Sequence, residues 1–464
     1  MKVFRLSLLF ILVFAWCFQP ARAQDALPSG PYYVVQPGDT LWDIALLLGI
    51  SAEELARYNN LTDPGFLPVG SRLFIPNLED VQGEVVIETV PLGENQRSLS
   101  RKYQIAEPLL ARLNHQAHAG MYYAGASVIL IKPGETPAAM RRSRMTAGSS
   151  LIELAVAAGV NPWQLVEINH LRGRWDGLPA DILLTPGDSQ PGPGALPPEV
   201  NRLDLTPLPL VQGKTTLLRV SAGADVSLSG SLAGYDLNFF RDEAGDYVAL
   251  QGIHAMQKPG FYPVSLSLVL PDGSQFDFSQ QVYLTEGDYV FDPTLYVDPA
   301  TINPEVTRPE DAEWNALAAP VTPEKLWSGQ FLSPVAPEFS DCFPSRFGNR
   351  RSYNDSPYDF FHTGLDFCGA VGNSIFAPAD GAVVFAGPLS VRGNATMINH
   401  GWGVYTAYMH QSEILVQVGD RVSAGQLIGL VGATGRVTGA HLHWEVWVGG
   451  VQVDPLDWLQ TVYP

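Results

Sequence analysis

A repeat limits the folding options of this 464-residue chain more than any other feature. Gly38, Leu41, Ala45, Gly49, Leu55 and Asn59 return as Gly148, Leu151, Ala155, Gly159, Leu165 and Asn169, six positions in register across 110 residues. Midway, Gly93, Leu110 and Asn114 keep the same offsets, while Gln96, Ser100 and Gln104 stand for Leu, Ala and Gly, so a degenerate copy lies between. Self-similarity of this kind means one supersecondary unit used several times. In the first copy Leu41, Ile44, Ala45 and Leu48 have the spacing of an amphipathic helix, Asp39 or Thr40 can cap its start, and Gly49 can end it. Ser51 caps a second helix carrying Leu55 and Tyr58, and extended segments flank the pair. The unit reads strand, helix, helix, strand.

With Tyr33-Val-Val-Gln-Pro-Gly-Asp-Thr-Leu-Trp42 at its start, Asn59-Asn-Leu61 in its middle and Val69-Gly-Ser-Arg-Leu-Phe-Ile-Pro76 at its end, this segment resembles the LysM module. LysM modules are small βααβ units that bind N-acetylglucosamine-containing glycans. The resemblance implies modules at 32–77, 85–133 and 140–187, the middle one degenerate and expected to keep the fold without the sugar. It places the glycan on the loops after the first strand and before the last, which implicates Gly38, Asp39, Thr40 and Leu61.

The start of the chain points to export. Lys2 and Arg5 precede an apolar run over 6–18, and Ala21-Arg-Ala23 supplies a small-x-small cleavage site, so 1–23 reads as a signal peptide and Gln24 as the mature N-terminus. Trp16 before Cys17 disfavours a lipoprotein site, and the run is shorter than the roughly 20 residues of a membrane-spanning helix. Cys342 and Cys368 then remain, either as a disulfide or as two unpaired buried thiols. The formal charge of −19 excludes a surface built to grip nucleic-acid phosphates or anionic lipid.

Residues 188–202 are Pro/Gly-rich and read as a linker. The stretches 215–220, 225–230, 247–250, 262–268 and 276–279 alternate apolar and polar residues between turns such as Asp272-Gly273 and read as short strands, predicting an immunoglobulin-like β-sandwich over 203–286. Its His254 reads as a surface or hydrogen-bonded histidine, and 287–327, with six prolines, as a segment that either wraps along a neighbouring surface or acts as a connector.

Five of the nine histidines lie between 362 and 443. His362 and Asp366 are four apart, with Gly364 and flanking Phe residues favouring extended structure, so both face one side of a strand. His441 and His443 share one face of a second strand, while Leu442, Trp444, Val446 and Val448 bury the other. Three nitrogen and oxygen ligands with an open fourth position are the catalytic zinc arrangement. The order Arg346-Phe-Gly, His362-x-x-x-Asp366, Ala377-Pro-Ala-Asp-Gly381, Tyr408-Met-His410, Gly419 to Gly425, Gly432-Ala-Thr-Gly435 and His441-Leu-His443 resembles the lysostaphin-type (LytM-type) zinc peptidases of peptidoglycan over 328–464.

That resemblance implies an antiparallel β-sheet fold and one catalytic Zn2+ held by His362, Asp366 and His443. His410 and His441 would stabilise the oxyanion and handle protons, either serving as base, and Cys342–Cys368 would staple the segment before the site to the strand after Asp366. Met409, Gln411 and the run Val437-Thr-Gly-Ala440 depart from the usual pattern without removing a site position. Glu445 can orient a ligand or serve as a structural carboxylate, and His400 reads as structural. The chain is thus expected to be multidomain and β-rich: a secreted, wall-associated peptidoglycan hydrolase, with glycan bound by LysM modules and peptide in the peptidase groove. The alternative is a catalytically silent wall-binding scaffold or amidase activator of the same fold.

Overall fold

The computed structural model describes residues 30–464 except 79–80, 117–118 and 134–138; the signal peptide expected at 1–23 lies outside the described residues. Among the described residues two compact units emerge, one holding those of 30–87 with 113–115 and 129–133, the other those of 88–112, 116–128 and 139–464. The first repeat runs β1 (Tyr32–Val34), α1 (Leu41–Leu48), α2 (Ala52–Tyr58) and β2 (Arg72–Phe74). The second runs β3 (Glu84–Thr89), α3 (Gln96–Tyr103), α4 (Glu107–Leu113) and β4 (Ser127–Lys132); the third runs β5 (Met140–Arg144), α5 (Leu151–Ala158), α6 (Pro162–Ile168) and β6 (Ile182–Pro186). One sheet has the order β2-β1-β3-β4, and β5 pairs with β6.

Each recurrent residue has a physical task. Thr40, not Asp39, caps α1 by accepting the Asp43 N–H, and the chain leaves α1 through Gly49 at φ 66°. Gly159 at φ 67° and Gln104 at φ 54° fill the same left-handed position in the other copies. The recurrent Asn is a clamp. Asn59 donates to the Phe74 carbonyl and accepts the Phe74 N–H, Asn114 does so with Ile129, and Asn169 with Leu184, each across 15 residues. The amide thus ties the end of the second helix to the last strand, which only Asn can do at that reach.

Between residues 200 and 285 two sheets face each other. The strands are β7 (Val200–Thr206), β8 (Leu210–Val211), β9 (Thr215–Ala222), β10 (Ser227–Leu232), β11 (Tyr235–Asp236), β12 (Phe240–Arg241), β13 (Tyr247–Gly252), β14 (Gly260–Val269) and β15 (Gln275–Thr285). Their orders are β11-β10-β14-β15-β8 and β12-β13-β9-β7, with Leu205, Leu218, Val220, Val264, Leu266 and Phe278 in the core between them. The first strand begins inside the stretch read as linker.

Two expectations need correction. Residues 247–250 do not alternate between core and solvent: every residue of β13 is buried, as its unbroken apolar run Tyr-Val-Ala-Leu requires. Residues 287–327 do wrap along their neighbours, yet they contain a regular helix, α7 (Pro304–Ala318). Asn303 caps it, Pro304 sits where no N–H is needed, and Glu310, Trp314 and Ala318 are buried at i, i+4, i+8.

The C-terminal strands are β16 (Arg350–Arg351), β17 (Phe360–Phe361), β18 (Leu365–Cys368), β19 (Ser374–Phe376), β20 (Gly381–Leu389), β21 (Gly393–Gly401), β22 (Val404–Ile414), β23 (Arg421–Val422), β24 (Leu427–Val431), β25 (His441–Val448) and β26 (Val451–Val453), followed by α8 (Pro455–Gln460). Apart from the β16–β17 pair they form one antiparallel sheet, in which β25 lies between β18 and β22. Leu442, Trp444, Val446 and Val448 point into a core that also takes Val248 and Leu250 of β13, so the two-sheet body and the C-terminal sheet share apolar interior. Trp447 points to the opposite face, where it packs with Trp314 and Ala318 of α7.

Candidate functional site

Pairing of β18 with β25 sets Asp366 opposite His443 and Cys368 opposite His441, while β22 sets Met409 opposite His443. His362 arrives differently from the expectation of one continuous strand. The chain leaves β17 at Phe361 and enters β18 at Leu365, and the irregular residues between them fold the ring of His362 back over Asp366. Gly364 allows this: a Cβ there would stand 2.4 Å from the Trp444 carbonyl oxygen and 2.8 Å from His443 Nε2.

His362, Asp366 and His443 form the candidate metal group among the described residues. His362 Nε2 is 3.0 Å from Asp366 Oδ1 and 2.9 Å from His443 Nδ1, which is itself 2.8 Å from Asp366 Oδ1. The outer ring atoms decide what faces the centre. His362 donates Nδ1–H to the Arg346 carbonyl at 2.8 Å, and His443 donates Nε2–H to Glu445 at 3.4 Å. Two imidazole lone pairs and a carboxylate therefore meet at one buried point with no donor among them. Acceptors so arranged fit a cation, and this donor set suits Zn2+ with one position left for substrate or water.

Charge follows from burial and these partners. Burial pushes His362 down to about 4. At His443 burial opposes the charged form, but Asp366 and Glu445 outweigh it and raise the ring. Asp366 stays well below its usual range, since His362 and His443 overcome its desolvation. Arg351 stands 3.7 Å from Asp366 Oδ2 and donates to Ser345 Oγ at 2.9 Å.

His410 and His441 flank this group, their rings 5.0 Å apart, with His410 6.0 Å from His443. His410 has φ 62° inside β22, and pairing with β21 is shifted between Asn394 and Thr396. A left-handed non-glycine residue within a strand is held there by its surroundings. His410 donates Nδ1–H to the Thr434 carbonyl at 2.8 Å and His441 to the Gly439 carbonyl at 2.9 Å, leaving Nε2 of each as a free acceptor. His441 Nε2 lies 3.6 Å from Asp366 Oδ1. Burial, aided by His443 and His441, pushes His410 down to about 3, so it is neutral at pH 7.

The other singled-out residues separate clearly. His400 donates to the Asp380 carbonyl and accepts from Thr406 Oγ1, both at 2.8 Å, a structural role. His254 accepts the Met256 N–H and meets the Phe361 ring edge-on. Cys342 and Cys368 are joined as a disulfide with Cα atoms 5.4 Å apart. In the first repeat Asp39 accepts from Tyr33 Oη and the Gln36 N–H, so it and the capping Thr40 serve the turn itself; Gly38 takes φ 92° there, and Leu61 lies in the loop after α2. Sequence reasoning passed over Trp314, Glu310 and Arg392 beside the histidines. The spacing of Glu310, Trp314 and Ala318 behind Asn303-Pro304 was the available signal.

Residues 360–455 match Peptidase family M23, and residues 33–76 match the LysM domain. Among similar proteins are peptidoglycan DD-endopeptidase ShyA of Vibrio cholerae, 45% identical over 20% of this chain and 22% of that protein, and DD-carboxypeptidase/endopeptidase Mpg of Neisseria meningitidis, 44% identical over the same shares. The chain therefore spans about a fifth of the length of these relatives. A crystal structure of a putative peptidase M23 from Pseudomonas aeruginosa aligns at 26% identity over 54% of this chain and 95% of that one, with a TM-score of 0.42. Through the two family matches the chain is recognised as carrying a LysM domain at 33–76 and a lysostaphin-type domain of Peptidase family M23 at 360–455.

Proposed function

We propose that the protein is an exported, zinc-dependent peptidoglycan hydrolase that cuts stem or cross-bridge peptides and is held on cell-wall glycan by its LysM domain. The observation that carries this reading is the convergence of two imidazole lone pairs and one carboxylate beside two imidazoles that each present a free Nε2. His362, Asp366 and His443 would hold Zn2+, which supplies Lewis acidity toward water and the scissile carbonyl. His410 presents the lone pair of Nε2 to this region, and its Nδ1–H bond to the Thr434 carbonyl fixes the ring so that it can exchange a proton there. His441, the more open of the two, reaches the same region, and a proton taken up at its Nε2 can be passed to an oxyanion or leaving amine. The two-sheet body, immunoglobulin-like in this reading, serves as scaffold, and LysM binding raises the local concentration of substrate.

The catalytically silent reading draws support from no observation, since each metal and proton-handling position is filled. Purified peptidoglycan digested with the mature protein, with and without a zinc chelator, tests the proposal. Mass analysis should show chelator-sensitive loss of peptide cross-links. Intact cross-links from a zinc-loaded, wall-bound protein would sink it in favour of the scaffold.

A further inference from the structure

Helix α7 lies outside residues 360–455, yet it reaches the site along two lines. The first runs through Glu445, which is 1% exposed. Its Oε1 accepts from His443 Nε2 at 3.4 Å and from Gln452 Nε2 at 3.2 Å, while its Oε2 accepts from Trp447 Nε1 at 2.8 Å and Trp314 Nε1 at 3.1 Å. Two indoles on one oxygen hold the other toward Gln452 and His443. That bond keeps the proton on Nε2 and the lone pair of Nδ1 at the metal point. Arg392 faces this buried carboxylate, and the helix holds it in place: it donates to Glu310 at 2.9 Å and Asp311 at 2.8 Å and lies 5.2 Å over the Trp314 ring.

The second line runs through Glu310. Its carboxylate accepts the N–H of Val391 at 2.9 Å and of Arg392 at 3.0 Å. The Arg392 carbonyl in turn accepts the His410 N–H at 2.9 Å, the anchor of a residue held at φ 62°.

We propose that α7 is a positioning element of the active site, in which Trp314 orients metal ligand His443 through Glu445, and Glu310 orients His410 through the backbone of Arg392. The proposal rests on the metallopeptidase reading above. Neither Trp314, Glu310 nor Glu445 needs to touch substrate for it to hold.

The test uses the full mature chain and the variants Glu445→Gln, Trp314→Phe and Glu310→Gln. Zinc affinity is measured by competition with a chromophoric chelator, kcat and KM on purified cross-linked peptidoglycan, and the unfolding midpoint on metal-free protein. Glu445→Gln should weaken zinc about 10- to 100-fold, and Trp314→Phe several-fold in the same direction. Glu310→Gln should leave zinc affinity intact and lower kcat about tenfold at unchanged KM. Lowered unfolding midpoints with wild-type zinc affinity and kcat would reduce α7 to a packing element and overturn the proposal. Wild-type protein that binds no zinc would instead remove the metallopeptidase reading, and this inference with it.

Discussion

At Gly364 the backbone passes so close to His443 that any side chain would push the ligand strand away, and at His410 the backbone turns left-handed to aim a ring inward. The two positions set the spacing of the imidazoles and divide the site by task. Accordingly His443→Ala should abolish zinc binding together with activity, whereas His410→Ala should keep zinc and lose about 10²- to 10⁴-fold in rate; metal analysis beside a digestion assay separates the outcomes. His400 offers a prediction of another kind. Burial pushes it down to about 4, against roughly 6.5 in an unfolded chain, so between those values the unfolded state binds the extra proton. Stability is therefore full above pH 6.5 and falls as the pH drops toward 4, by about 3 kcal/mol from this ring. His362 and His410, also depressed, act with the same sign and His443, raised, with the opposite one, so the wild-type slope is shared among them. Denaturant midpoints of His400→Gln should show a shallower slope between pH 7 and 4.5 than the wild type. The identities of all five histidines were legible from order and spacing, because each motif is short and local. The break between Phe361 and Leu365 was not, since it depends on Trp444 and His443, far away in sequence.

Among the elements, the repeated strand-helix-helix-strand units were the most readable, their helices being periodic and bounded by Gly, Ser and Thr. The Asn clamp gives that reading a measurable form. Asn169 is buried and exchanges two hydrogen bonds with Leu184, so Asn169→Ala should strand a strand amide and carbonyl and destabilise the third repeat by about 2 kcal/mol, seen as faster amide exchange in β6. Helix α7 was harder to read for the opposite reason. Pro304 and Pro309 suggest irregular chain, yet the first sits at the free N-terminal turn and the second removes one bond, to the Glu305 carbonyl. Burial of Trp314 and the clamping by Glu310 outweigh that loss, and neither partner surface can be seen from residues 304–318 alone.

Over the whole second unit, the two-sheet body and the C-terminal sheet behave as one piece. Val248 and Leu250 complete the core behind β25, Lys214 donates to Asp454 and Asp457 at 2.9 and 2.7 Å, and Trp458 donates to Thr215 at 2.9 Å. A fragment starting at 328 lacks Val248, Leu250 and Trp314. It should unfold on the order of 10 to 20 °C below a fragment starting at 200, from about 5 kcal/mol of lost burial, and equal calorimetric midpoints would contradict the shared core. Reading 247–250 as alternating missed the burial of β13 on both faces, because its second partner lies far away in sequence. That partner emerges late. Whether the chain leaves a ribosome or a membrane channel, it comes N-terminus first, so β13 emerges long before β25. At ~5–20 residues per second, the stretch from Leu250 to His443 takes about 10 to 40 s to appear, during which β13 waits with one face bare. His443 and the strand that covers β13 arrive together, so a chain interrupted before β25 has neither the closed core nor the candidate metal group.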